Sequence, residues 1–161
     1  MTQAELIADE LDRAVRGQAW HGSSLGELLE GMSLEVATQR PIPAGHNIWE
    51  LVMHITSWAN IATRRITGGR VAPHDGEDWA PAEDMTMERW VAIQSALRQS
   101  HENLREVVLG LSDERLAANA PQSENSVAVM LHGVAQHAAY HGGQIALIKK
   151  AVVTQHRRAA L

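Results

Sequence analysis

Apolar residues recur at helical spacing in four long stretches of the chain, and no stretch shows a convincing strand-like alternation. The stretches cover residues 2–18, 47–66, 86–109 and 127–153. Within each of them, apolar side chains return every three or four positions, which places them on one face of an α-helix. The pattern therefore predicts an all-α fold, an antiparallel-type four-helix bundle, in a single domain that covers residues 1–161.

Local signals indicate where two of the predicted helices begin. Asn47 is a good N-cap residue, and Glu50 three residues later completes a pattern that resembles a capping box. Ser23 or Ser24 is placed to cap a short additional helix that runs through Leu29. These signals predict a helix start at Asn47 and a short helix after the first long one.

A long connection, residues 67–85, separates the second and third predicted helices. It contains Pro73 and Gly76, and connections of this length are uncommon in compact domains and often functional. It is long enough to cross the bundle, so the helices on either side of it can run parallel rather than as a hairpin. Trp79 in this connection and Trp20 in an earlier one can wall a pocket.

Two histidines lie on the apolar face of the last predicted helix. His137 and His141 are four residues apart, so their rings project from one face with one turn between them. A step of about 100° per residue places both within the apolar arc, whereas His132 falls on the opposite face, toward water. His54 lies at the edge of the apolar stripe of the second helix. Three imidazoles from two helices can therefore converge and hold a metal ion with open positions for water or substrate.

Histidines in a core have a simpler explanation, which the sequence leaves open. A single core-facing histidine such as His54 is more often a hydrogen-bonded core residue than a ligand. Burial of two neighbouring imidazoles costs free energy of desolvation for each ring unless its polar nitrogen atoms find partners. One metal ion can serve as the partner of both rings. His101 can be a fourth ligand, a partner of a ligand or a core residue, and we favour the core. The default expectation for the loop histidines His21, His46 and His74 is simple hydration.

Glu50 and Gln144 are the candidates for catalysis or for orienting a ligand. Glu50 lies one turn before His54 and can accept a hydrogen bond from a ligating ring, although the helix cap explains it at least as well. Gln144 lies near His137 and one turn past His141, so it can orient a ligand or a water molecule. Residues 142–143 are both glycine, at a cost of about 1 kcal/mol each relative to alanine within a helix. That cost predicts a close helix approach or free space near the site.

Composition narrows the chemistry that this chain can perform. The 161 residues include no cysteine, which excludes disulfides, thiolate metal sites and a cysteine nucleophile. A net charge of -5 without a Lys/Arg-rich stretch argues against nucleic acid as a partner. No apolar run approaches the roughly 18 residues of a membrane span, and the N-terminus lacks the pattern of a secretory signal. We therefore expect a cytoplasmic protein that binds neither nucleic acid nor a membrane.

Three motifs in this sequence resemble those of the DinB-like superfamily. They are WHGSSL at residues 20–25, GHNIWELVMHI at residues 45–55 and HAAYHGGQ at residues 137–144. Together they extend over nearly the whole chain in the expected order. The resemblance implies a four-helix bundle, often a homodimer, in which three histidines bind a divalent metal. Its ligands correspond here to His54, His137 and His141.

The resemblance also implies classes of activity. Related proteins include metal-dependent transferases and isomerases that use low-molecular-weight thiols such as mycothiol, bacillithiol or glutathione. We therefore expect a transferase that joins such a thiol to a small electrophilic substrate, or a hydrolase that uses metal-bound water. The metal we expect is zinc or nickel, with iron as an alternative, because imidazole ligands suit all three. Two other hypotheses stay open: a non-catalytic, stress-related metal-binding protein, and a bundle whose histidines are purely structural.

Overall fold

The computed structural model describes residues 1–69 and 72–159, and its named secondary-structure elements in that part of the chain are all helices. Its seven helices are α1 (Gln3–Arg16), α2 (Leu25–Leu29), α3 (Leu34–Thr38), α4 (Ile48–Ile66), α5 (Met87–Leu109), α6 (Asp113–Ala117) and α7 (Val127–Ala159). The predicted all-α fold is confirmed. The four predicted helices correspond to α1, α4, α5 and α7, whereas α3 and α6 were not predicted. Each of those two has only five residues, too few to display a helical period.

Side-chain caps begin the helices at the positions that the sequence indicates. The side chain of Asn47 accepts a hydrogen bond from the Glu50 N–H, and the Glu50 carboxylate accepts one from the Asn47 N–H at 3.1 Å. Ser24, rather than Ser23, caps α2, and Glu27 returns the bond in the same reciprocal arrangement. Both are complete capping boxes, which satisfy backbone donors that have no partner within the helix.

The four long helices pack side by side, with α4 and α1 each lying against both α5 and α7. Trp49, near the start of α4, stacks on Trp90, near the start of α5, with ring centroids 5.8 Å apart. These two helices therefore run parallel, as the length of the 67–85 connection allows, although residues 70–71 within it lie outside the described part of the chain. The C-terminal halves of α1 and α7 pack with the N-terminal halves of α4 and α5. Neighbouring helices are thus parallel in two pairs and antiparallel in the other two.

Helix α7 is the longest element and contributes two of the three histidines of interest. It spans 33 residues and continues past the predicted end near Val153. Its apolar stripe, which includes Val134, Ala138 and Ile145, is buried against the other long helices. Among the described residues, no helix combines the length and the apolar character that a membrane crossing requires.

Candidate metal centre

Three histidines meet between α4 and α7. The Nε2 atom of His137 lies 3.0 Å from Nε2 of His54 and 3.0 Å from Nε2 of His141. One ligand atom from each of the three lies within 4.8 Å of the others. Two nitrogen atoms bound to one zinc ion at about 2.0–2.1 Å are themselves roughly 2.9–3.4 Å apart. The spacing of the ring nitrogens therefore fits a shared metal ion.

The protons on these rings are too few to satisfy all three Nε2 atoms. The Nδ1 atom of His54 donates to the backbone carbonyl oxygen of Asp78 at 2.7 Å, and Nδ1 of His141 donates to Oε1 of Gln144 at 2.8 Å. Because an oxygen of this kind only accepts, Nε2 of His54 and of His141 each present a lone pair. Nε2 of His137 carries at most one proton and can serve only one of them. A bound cation would satisfy all three lone pairs.

Burial keeps the two rings on α7 in the form that binds metals. His54 and His141 are each only 6% exposed. Desolvation, reinforced by the neighbouring His141 and His54, lowers the pKa of His137 to about 4. Desolvation also lowers the pKa of His141, against an opposing effect of the hydrogen bond with Gln144. Both α7 rings are therefore neutral near pH 7, and neutral imidazole is the ligand form.

Trp79 closes one side of the histidine cluster. Its ring stacks on His54 with centroids 3.8 Å apart, and on His46 with centroids 3.6 Å apart, both nearly parallel. Two imidazoles at these distances cannot share one face of an indole, so Trp79 is held between them. Trp20, in contrast, is fully exposed and lines a separate surface depression with His21. Of the two tryptophans expected to wall a pocket, Trp79 is the one that contacts the cluster.

Two acidic residues anchor the 67–85 connection to α4 at the level of the histidines. The Oδ1 atom of Asp78 accepts a hydrogen bond from Nε1 of Trp58 at 2.7 Å and lies 3.3 Å from Nδ1 of His54. Glu77 pairs in a bidentate manner with Arg64 at 2.6 and 2.9 Å, and these bonds lower the pKa of Glu77. The connection thereby fixes the orientation of the His54 ring.

Glu50 lies beside the cluster and contacts none of its three rings. Its carboxylate accepts hydrogen bonds from Arg40 at 2.6 Å and from Asn47, and it lies 3.2 Å from Nδ1 of His46. Burial opposes its ionisation, but these hydrogen bonds outweigh burial and lower the pKa of Glu50. Of the two roles open to Glu50, the structure places it in the cap, because the outer nitrogen of His54 faces the connection instead.

The remaining histidines have other surroundings. His101 is 4% exposed, its Nδ1 lies 3.0 Å from the carbonyl oxygen of Leu97, and no described residue pairs with its buried Nε2. His101 is thus a core residue, as favoured, and burial lowers its pKa to about 4. His132 lies outside the cluster with a side chain that is 43% exposed, in line with its expected position toward water, and its Nδ1 lies 2.6 Å from Glu10 of α1. A helical wheel shows which face of α7 carries His132 but not which side chain of a neighbouring helix reaches it.

Two of the three loop histidines are simply exposed, and the third contacts other side chains. His21 and His74 are exposed, in line with the default expectation. His46 is also exposed at its edge, but it is stacked on Trp79 and contacts Glu50, so hydration alone does not describe it.

A cavity of about 410 Å³ opens beside the cluster. Its volume lies within the roughly 300–1,000 Å³ that is usual for small-molecule sites. A Cβ atom added to Gly133, one turn before His137, would meet nothing within 4 Å. There is therefore room beside the rings for a small molecule. The lining residues are His54, Trp58, Ala62, Arg65, Asp78, Met130, Gly133, Val134 and His137.

The two adjacent glycines of α7 have different surroundings. Gly142 shows the expected close helix approach, whereas Gly143 is exposed and is not among the residues that line the cavity. A Cβ atom on Gly142 would contact Leu25 and Leu28 of α2 at 3.5 and 3.7 Å, so α2 approaches α7 closely there. A Cβ atom on Gly143 would meet nothing within 4 Å.

Sequence reasoning did not single out Asp78, Trp58 or Arg65 as site residues. Trp58 and Arg65 follow His54 by four and eleven positions, which places them on the same face of α4, so this spacing was an available signal. Asp78 lies in an irregular connection, where no periodicity indicates the direction of a side chain.

Comparison with known families agrees with this geometry. The family model described as DinB superfamily matches residues 19–145, more than half of the chain, and the match contains all three clustered histidines. Searches of the curated proteins and of the solved structures find no match to the chain.

Proposed function

This chain belongs to the DinB superfamily, and from that premise we propose that it is a metal-dependent transferase or hydrolase. In this proposal His54, His137 and His141 bind one divalent ion, zinc or nickel, with iron as an alternative. One observation supports it above all others: three Nε2 atoms converge within 4.8 Å while their protons cannot satisfy every lone pair. The thiol co-substrate and the homodimer are predictions that rest on the family resemblance.

A divalent ion held by three imidazoles lowers the pKa of a coordinated thiol or water and makes it nucleophilic near pH 7. Because the chain contains no cysteine, the thiol must come from a small molecule. In the transferase reaction the thiol sulfur supplies the electron pair of the new C–S bond, and the leaving group departs with the pair of the broken bond. With water as the nucleophile, the same residues would support hydrolysis.

Asp78 is the residue that we assign to accept the proton of the nucleophile. It is the one carboxylate among the residues that line the cavity. Its Oδ1 also lies 3.3 Å from Nδ1 of His54, the nitrogen that faces away from the cluster. Gln144 is an amide that cannot act as a base, so its role is to hold the His141 ring at 2.8 Å. Glu50 is engaged with Arg40 and its own helix cap. In this proposal Gln144 therefore serves as a positioning residue for His141, and Glu50 holds the helix cap.

Elemental analysis of protein purified without a polyhistidine tag tests the metal site. We expect about one equivalent of a divalent transition metal in the wild type and almost none in His137→Ala. His132→Ala is the matched control, because it removes a histidine from the same helix but pairs with Glu10 outside the cluster. A wild type without metal, or equal metal in His137→Ala, would disprove the site.

Chelation provides a second readout of the same site. A ligand present at 100 times its Kd stabilises the folded state by about 2.7 kcal/mol, so removing the metal should lower the Tm by roughly 5–10 °C. The decrease should be absent in His137→Ala and present in His132→Ala. An unchanged Tm in the wild type would support the hypothesis that the histidines are purely structural.

Catalysis is tested by the consumption of a thiol in the presence of a panel of small electrophiles. We expect consumption that depends on the metal and is lost in His137→Ala. Stoichiometric metal without any turnover of thiols or hydrolysable substrates would contradict catalysis and favour the non-catalytic, stress-related metal-binding protein.

A further inference from the structure

The outer face of α7 carries no charged residue over most of its length. Residues 127–148 contain no Asp, Glu, Lys or Arg. The exposed side chains of this stretch recur at spacings of four or seven positions, so they form one row along the helix: Val129, Gln136, Tyr140 and Leu147. Tyr140 is 66% exposed and Leu147 is 69% exposed. A helix face in contact with water is normally charged or polar, so this face is suited to contact with another protein surface.

The exposed faces of α1 and α5 have a different composition. Helix α1 exposes Asp9, Glu10 and Arg13, and α5 exposes Arg98 and Glu106. Helix α5 lies diagonally opposite α7, because α1 and α4 each pack against both. The uncharged surface is therefore a property of the α7 side of the bundle, in a chain whose net charge is -5.

A fully exposed tryptophan lies beside the uncharged face. Trp20 lines a depression of about 370 Å³ together with Ala135, Gln136 and Ala139 of α7. Tryptophan and tyrosine are enriched among the residues that contribute most to binding at protein interfaces. The α7 side of the molecule therefore combines exposed aromatic rings, those of Trp20 and Tyr140, with a depression next to them.

We infer that two copies of this chain pair through the outer face of α7. In a dimer with two-fold symmetry, a residue near the axis meets its own copy, so a charge at that position faces a like charge. A helix face without charges avoids this repulsion, which suits it to a second copy rather than to a charged partner. The inference locates the homodimer that belongs to the proposed function, and it does not depend on the metal.

The length of the face fits an interface of ordinary size. From Val129 to Leu147 the helix rises about 27 Å, at about 1.5 Å per residue. A standard interface buries about 800 Å² of each partner, which corresponds to a patch roughly 30 Å across. The row of exposed side chains therefore extends across a complete patch. The ring of Tyr140 also lies 4.9 Å from the ring of His141, centroid to centroid, so a partner that covers Tyr140 lies next to the histidine cluster.

Sedimentation equilibrium tests the pairing and its location. The wild type should be a dimer at about 10 μM, because interfaces of standard size have a Kd in the micromolar range or below. Gln136→Glu replaces an amide by a carboxylate of the same size within the row, and it should raise the Kd about tenfold or more. Gln99→Glu is the matched control, because it makes the same replacement at an exposed position of α5, and it should dimerise like the wild type.

Opposite charges test the two-fold arrangement. Gln136→Lys alone should also weaken the dimer, because it again places like charges on the two copies. A 1:1 mixture of Gln136→Glu and Gln136→Lys should associate more tightly than either variant alone, since unlike charges then face each other. Trp20→Ala should raise the Kd about tenfold or more at an unchanged Tm of the single chain, because the ring is exposed in one copy.

Three outcomes would disprove the inference: a wild type that is still monomeric at about 100 μM, equal dimerisation of Gln136→Glu and Gln99→Glu, or a mixture that associates no more tightly than its components. Binding of a monomeric wild type to phosphatidylglycerol vesicles would assign the face to a membrane and would also overturn it.

Repeating the sedimentation after chelation and with His137→Ala separates this inference from the metal site. A dimer that persists in both supports the pairing even if the histidines hold no metal. A monomeric wild type that contains a full equivalent of metal refutes the pairing and leaves the metal site intact. Dissociation on chelation would make the pairing depend on the metal and overturn the inference.

Discussion

Acid should destabilise this protein through His101, a histidine buried in its core. The side chain is 4% exposed, and its Nδ1 lies 3.0 Å from the backbone carbonyl oxygen of Leu97 and 3.3 Å from Oγ of Ser100. Desolvation therefore lowers the pKa of His101 to about 4 in the folded protein. In the unfolded chain, where the ring is hydrated, the ordinary pKa of about 6.5 applies.

The sign and size of the effect follow from these two pKa values. Because the unfolded state binds the proton more tightly, the contribution of neutral His101 to stability is complete above about pH 6.5 and is lost as the pH falls toward 4. Each pH unit in that interval costs about 1.4 kcal/mol, so the whole interval costs about 3 kcal/mol. That is a large part of the roughly 5–15 kcal/mol by which most folded domains are stable.

Urea denaturation of metal-free protein at several pH values between 7 and 4.5 measures this contribution. His101→Leu should flatten the decline, so that its free energy of unfolding gains about 2–3 kcal/mol on the wild type between pH 7 and 4.5. Carboxylates titrate in both proteins and cancel in the difference. The charge of His101 helps to lower the pKa of His137, so its removal in His101→Leu flattens the decline further, in the same direction. Leu104→Ala, at another buried position of α5, should lower stability by about 2–5 kcal/mol with the same pH slope as the wild type. If the free energy of unfolding falls with pH equally steeply in His101→Leu and in the wild type, the reasoning is refuted.

Three further predictions concern two glycines and the stacked tryptophan. Gly143→Ala should raise the free energy of unfolding in urea by about 0.5–1 kcal/mol, because its Cβ atom has free space in a helix interior. Gly26→Ala should lower the free energy of unfolding by about 1–3 kcal/mol, because its Cβ atom would lie 2.7 Å from the carbonyl oxygen of Val15. A Gly26→Ala protein that is more stable than Gly143→Ala would contradict both predictions. Trp79→Ala should weaken metal binding about tenfold or more in competition with a chromogenic chelator, because the indole holds the ring of His54. Unchanged affinity would show that the stacking does not position this histidine.

Much of the secondary structure follows from local sequence. Asn47 and Glu50 form the predicted capping box because both partners lie within one turn, where tertiary packing has little influence. The length of the connection before Met87 predicted that α4 and α5 can run parallel, and in the structure they do. The short helices α3 and α6 were missed because five residues cannot display a period. Their caps, Ser33 and Ser112, were an available signal, as Ser24 was for α2.

The sequence by itself determined which histidines can share a site. The spacing of His137 and His141 on one apolar stripe requires them to point the same way, and His54 lies on the corresponding stripe of a second helix. Helical periodicity is a local property, so it can be obtained from the order of residues alone.

Only the tertiary structure decided what surrounds those rings. Asp78 and Trp79 come from an irregular connection whose path depends on contacts with α4, such as the pair between Glu77 and Arg64. The partner of His132 and the orientation of Arg65 along Trp58 depend likewise on neighbours that are far apart in the chain or several turns away. A periodic pattern specifies a direction around one helix axis, whereas the distance and chemistry of the facing group are set by packing between elements.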